Sequence, residues 1–153
     1  MTPDQLRKHI IIPVLARMDM LSQEAEDQVL ATGIHEGDKL KRVTQYNNGP
    51  ARSYYQIEPS TLNDLYTNYL SYRPKKKELL DSFMIPMYDR TDNLVMNLAY
   101  ATAVCRMIYY RVSSPIPTSL EGKAHYWKEH YNTHLGKGNV DEFIENVKDF
   151  IGD

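Results

Sequence analysis

Glu36 stands at the end of an apolar, helix-patterned stretch, ahead of the polar segment Gly49-Pro50-Ala51-Arg52-Ser53-Tyr54-Tyr55-Gln56-Ile57-Glu58-Pro59-Ser60-Thr61. A carboxylic acid in that setting suits proton donation to a leaving oxygen, the first requirement of glycoside cleavage. The acid must be neutral near pH 7, and burial at a helix C-terminus pushes a glutamate that way. Glu58 is the candidate second carboxylate for a mechanism that activates water, with Asp38 as another. The competing role for Glu36 is purely local: a helix-end side chain hydrogen-bonded to the adjoining loop.

The elements that would hold these groups are mostly helical. Thr2-Pro3 is a capping hydroxyl followed by proline at the first helical position. Leu6, Ile10 and Val14 continue the period, and Pro13 is expected to bend or end it. Ser22 caps the next helix, whose inward stripe of Ala25, Val29 and Gly33 carries Glu36 at i+3 from Gly33. From residue 41 to 57 the helical period disappears. Asn48-Gly49 there predicts a tight turn between two short extended runs. Ser60 is expected to cap a third helix bearing Leu62, Leu65, Tyr66, Tyr69 and Leu70, and a short helix is expected over 76–83. Thr91 or Asp92 is expected to open a long apolar helix through Leu94, Leu98, Ala101, Cys105 and Ile108. Thr118-x-x-Glu121 reads as a capping box, and Asn139 starts a last amphipathic helix. The expected fold is mainly α, a single domain over 1–153 of α+β lysozyme-like order. Its small extended or hairpin insert comes after the second helix.

Four stretches, in order, resemble the lysozyme-like lytic transglycosylase (SLT) domains that cut peptidoglycan. Glu36 falls where that family has its catalytic glutamate. Ala51 to Thr61 is similar to its Gly-Ala-x-Gly-Leu-Met-Gln-Ile-Met-Pro-x-Thr block, with Gln56, Ile57, Pro59 and Thr61 kept. Asn97-Leu98-Ala99-Tyr100-Ala101 looks like its Asn-Ile-x-x-Gly helix, and Tyr131-Asn132 like its late Tyr-Asn-x-Gly motif. The resemblance implies that Glu36 gives a proton and takes it back while the sugar closes on itself. It also implies a substrate groove along Gln56, Tyr131, Tyr55, Ser53 and Asn132, with Tyr131 supporting the acid and Gln56 holding an N-acetyl group. Two departures stand out: Gly37 replaces the serine next to the family's glutamate, and Ser53 replaces a glycine of its second block.

Composition narrows the partners. The 153 residues are 42% hydrophobic and 25% charged with a net charge of −2, ordinary for a folded domain and without a pull toward nucleic acid. The single cysteine, Cys105, cannot form an intrachain disulfide and reads as a packed helix residue. His130/His134 and His125/Glu129 have i,i+4 spacing but complete no zinc pattern, so no metal and no cofactor is expected. The apolar run Ile10–Leu15 is too short to cross a bilayer, and no export signal is read. Production in a host cytoplasm, with association to a virion, fits a protein of bacteriophage type. The expected partner is a peptidoglycan glycan strand. Ser53, Gly37 and the near-neutral charge motivate an alternative, a non-catalytic virion or assembly protein that docks on other virion chains. A sugar-binding module is a third, remoter option.

Overall fold

The computed structural model describes residues 1–132 and 138–152. The chain is mainly helical, and its first helical stretch already departs from regular form. Pro3–Leu6 (α1) is closed by a full capping box between Thr2 and Gln5. A π turn then spans Arg7–Ile11 and leads without a break into Ile12–Arg17 (α2). Pro13 therefore does not end the helix. The wider turn before it relieves the clash between the proline ring and the preceding carbonyls.

Gln23–Glu36 (α3) starts at Ser22, whose hydroxyl accepts from the Ala25 amide at 3.1 Å. Ten consecutive residues of α3, Ala25 to Ile34, are buried, so it is a core helix with two buried faces. Its acidic residues Glu26 and Asp27 are held by Arg7, which reaches both carboxylates from the π turn.

Pro59–Asn68 (α4) begins one residue before the expected Ser60 cap, with Pro59 at its first position and Glu58 flanking it. Proline's fixed φ suits that position better than a hydroxyl one residue later. Tyr69 and Leu70 lie beyond the helix, at a 3-10 turn over Leu70–Tyr72. Pro74–Asp81 (α5) likewise starts at a proline, two residues ahead of expectation. The long apolar helix expected from Thr91 is two helices, Arg90–Met96 (α6) and Leu98–Tyr110 (α7), capped by Asp89 and Asn97. Asn97 breaks the run because its side chain competes with the backbone: it accepts from the Tyr100 amide at 3.1 Å and donates to the Phe83 carbonyl at 2.7 Å.

Leu120–His130 (α8) is capped by Ser119, not Thr118. The Thr118 carbonyl is instead one of two acceptors for the buried Lys123 ammonium. Val140–Val147 (α9) starts from the Asn139 cap as expected. The core centres on α7, buried from Tyr100 to Tyr109 and packed against α2, α3, α5 and α6. Helices α8 and α9 close the far side of α3.

The insert between α3 and α4 is smaller than a hairpin. Among the described residues it contains only isolated antiparallel bridges, Thr44 with Arg52 and Arg52 with Ile57. At the expected turn, Asn47 and Asn48 take the positive φ angles (60° and 61°) while Gly49 stays at −66°. Asparagine tolerates the left-handed region well enough to displace the glycine from that task.

Candidate functional site

Helix α3 ends at Glu36 in an unusual backbone turn. Asp38, Lys39 and Leu40 all have left-handed backbones (φ 51°, 57° and 64°). Each left-handed non-glycine residue costs about 1–2 kcal/mol. The turn is held by backbone bonds from Lys39 to Ile34 (2.8 Å) and from Lys41 and Arg42 to Gly37, and by burial of Leu40. It swings Arg42 back over the end of α3, where Nε donates to the Glu36 carbonyl at 2.9 Å.

The Glu36 side chain points the other way, into an aromatic cluster. The Trp127 indole Nε1–H donates to Glu36 Oε2 over 3.4 Å. Trp127 is fully buried, stacked on Phe143 and met edge-on by His35. Burial pushes the Glu36 carboxyl from 4.5 up to about 7, opposed by the Trp127 hydrogen bond and by the nearby Arg42 charge. Next to it, burial and the Arg42 charge lower His35 from 6.5 to about 4. His35 Nδ1 pairs with the Asn146 amide at 3.0 Å. The helix end thus presents a neutral imidazole beside a carboxyl poised to exchange a proton at neutral pH.

The other expected site residues are placed less favourably for binding. Tyr131 does not hydrogen-bond Glu36; its hydroxyl donates to the Tyr55 carbonyl. The Glu36 charge is still close enough to raise the Tyr131 phenol, after burial and Cys105. Tyr131 also stacks on Tyr109 at 5.2 Å. Tyr55 is fully buried, not at a groove. Its ring lies against the Gly33 Cα, and its hydroxyl shares a 2.7 Å hydrogen bond with Thr102 on α7, pinning the insert to the core.

Ser53 is buried as well, with its hydroxyl accepting from the Tyr55 amide. Its φ of 74° is a conformation best suited to glycine. The Gln56 amide is committed to the Ser53 carbonyl at 2.8 Å, which makes it a loop brace. Asn132 Oδ1 accepts from Lys128, and the adjoining segment 133–137 lies outside the described residues together with His134.

Neither candidate second carboxylate pairs with Glu36. Glu58 is exposed beside α4, and Asp38 is exposed and accepts from the Tyr46 hydroxyl at 2.7 Å. The arrangement offers single-carboxylate chemistry. Cys105 is fully buried with its thiol pushed up by desolvation, which makes it a poor nucleophile. Among the described residues no three His, Cys, Asp or Glu side chains gather to hold a metal.

Two features of the site escape a reading of the sequence. Trp127 is the direct partner of Glu36, and its one available signal was being the chain's single tryptophan, four residues before Tyr131. The second is the steric requirement at Gly37, which the sequence shows only as a departure from the SLT pattern. A Cβ there would lie 2.6 Å from the Gly33 carbonyl and 2.9 Å from the Tyr54 carbonyl, so no side chain fits without backbone movement. Gly37→Ser, which installs the residue found in the SLT pattern, is expected to destabilise the protein by about 2 kcal/mol through overpacking. Chemical denaturation measures it, and an unchanged midpoint would mean that the 53–57 loop does not press on the end of α3.

No family model matches the sequence, no curated protein matches it, and no solved structure matches the chain. Among the described residues no helix is long and apolar enough to cross a membrane.

Proposed function

We propose that this chain is a glycan-cleaving enzyme of lysozyme-like, lytic transglycosylase type, of bacteriophage style, acting on peptidoglycan with Glu36 as its acid and base. The observation that carries the reading is a half-buried carboxyl at a helix end with a pKa near 7, facing an indole donor. In this mechanism the Glu36 proton passes to the glycosidic oxygen as the bond from the anomeric carbon breaks. The carboxylate left behind, steadied by the Trp127 N–H, then takes the proton of the sugar's own hydroxyl as that oxygen closes on the anomeric carbon. No second carboxylate is required, in keeping with the exposure of Glu58 and Asp38, the latter engaged by the Tyr46 hydroxyl. Ser53, at a φ that suits the glycine of the SLT pattern, adds support.

The test is digestion of purified peptidoglycan by the protein and by Glu36→Gln, with product analysis by mass spectrometry. The parent should release anhydro-sugar ends, and the variant should be slower by about a thousandfold, the usual worth of a positioned acid. Equal inactivity of both proteins would remove the enzyme reading. Reducing ends would identify a hydrolase.

A second reading is favoured by a different observation. The loop around Ile85–Tyr88 exposes Met87 (79%), Ile85 and Tyr88, yet it is held by the fully buried Asn93, which bonds backbone groups of Ile85, Tyr88 and Asp89. A rigid apolar protrusion suits docking on another chain, as a virion or assembly protein would require. Stoichiometric incorporation into particles without lytic activity would select this reading.

A further inference from the structure

At the C-terminal end of α3, with His35 standing between it and the indole, a surface recess of about 260 Å³ is lined by His35, Asp38, Lys39, Arg42, Tyr46 and Asn146. We propose that this recess is a carboxylate-binding subsite read by Arg42, and, resting on the glycan-cleaving reading above, that it takes an acidic substituent of the strand next to the bond Glu36 breaks.

Three observations support it. Arg42 is fixed before any ligand arrives: its Nε is tied to the Glu36 carbonyl, and its guanidinium lies 4.5 Å over the Tyr46 ring. Neither terminal guanidinium nitrogen has a protein acceptor among the described residues, which leaves a planar donor edge of the shape that pairs with a carboxylate. The backbone turn that builds the wall is strained at three successive residues, Asp38, Lys39 and Leu40, and such strain persists where the surroundings enforce it.

Charge selects the class of anion. Lys39 and Arg42 supply two positive charges and Asp38 one negative, while His35 is neutral at pH 7. The recess therefore matches a monoanion. A phosphate, closer to dianionic, would meet the Asp38 carboxylate, whereas a carboxylate at the end of a peptide brings amide N–H groups that Asp38 can accept. The site also communicates with the acid. Arg42 lowers the Glu36 pKa, so a bound anion that offsets Arg42 would hold the proton donor protonated to higher pH.

The experiment is a nuclear magnetic resonance titration at pH 6 with N-acetyl-dialanine, its C-terminal amide, and inorganic phosphate. The acid should shift the Arg42 Nε–H, Lys39 and Tyr46 resonances saturably in the millimolar range. The amide and phosphate should bind at least about tenfold more weakly. Arg42→Gln should abolish the response and Arg42→Lys should weaken it about fivefold, since a lysine keeps the charge but loses the fork.

If Arg42→Gln does not fold, the exposed Lys39→Gln serves instead, with an expected loss of about threefold. Absence of shifts at these residues in the parent, or equal binding of the amide, overturns the subsite. Phosphate binding as tight as the acid overturns the carboxylate assignment. The probe is not a substrate, so the outcome stands whether or not the protein cleaves glycans.

Discussion

Glu36→Gln is expected to be more stable than the parent by about 3 kcal/mol at pH 8 and to match it near pH 4. The direction of the pKa shift sets the sign. The folded protein holds the Glu36 proton up to about pH 7, whereas the unfolded chain releases it near 4.5. Between those values the folded state binds more protons, so raising the pH weakens it, and above pH 7 the full penalty of a buried charge is present. Glutamine carries no charge at any pH and keeps an oxygen for the Trp127 N–H.

His35 has the opposite slope. Its folded pKa of about 4 lies below the ordinary 6.5, so the unfolded chain binds more protons between those values and stability falls as the pH drops through that window. In the parent the two contributions nearly cancel from pH 4 to 8. In Glu36→Gln the histidine slope is uncovered, and stability should rise from pH 4 to about 6.5 and then level off. Urea denaturation at a series of pH values measures both curves. Coincident curves at pH 8 would show that the carboxyl is well solvated, and the proton-donor reading would lose its physical basis.

Trp127→Ala should cost about 4 kcal/mol, the usual loss for truncating a large buried aromatic. Trp127 is fully enclosed by α3, α8 and α9 and stacks on Phe143 at 4.8 Å. It also supports Gly138, where an added Cβ would lie 2.4 Å from the indole ring. Trp127→Phe separates packing from chemistry. It retains most of the apolar contact, so its stability loss should be smaller, but it removes the N–H that favours ionised Glu36. The Glu36 pKa should then rise above its parent value, and the alkaline limb of any activity profile should move with it. Carbon-detected titration of the glutamate carboxyl gives that pKa directly. An unchanged value would mean that the 3.4 Å contact carries no electrostatic weight.

The helix starts were largely legible because capping is local. Thr2, Ser22 and Asn139 sit within three residues of the amides they bind, so side-chain type and spacing suffice. The misplaced starts were also local contests. Pro59 and Pro74 displaced Ser60 and Lys76, Ser119 displaced Thr118, and Asn97 split a continuous apolar run because its side chain caps the Tyr100 amide and ties to the Phe83 carbonyl ahead of α6. Hydrophobic period alone does not register such a contest, since Leu94, Leu98 and Ala101 keep their spacing across it.

By itself the sequence determined the helical class and the placement of Glu36 at the end of a packed helix, though α3 is buried from Ala25 to Ile34 and not along one stripe. Those features arise from periodicity and from forces acting within a few residues. Only the tertiary structure decided which groups meet that carboxyl. Trp127, 91 residues away, takes the place expected for Tyr131, while Gln56, Ser53 and Tyr55 brace the insert. The physical reason is competition at long range. Each donor chooses among acceptors that helix packing brings near, and the angles at which α3, α7 and α8 cross are fixed by the whole core.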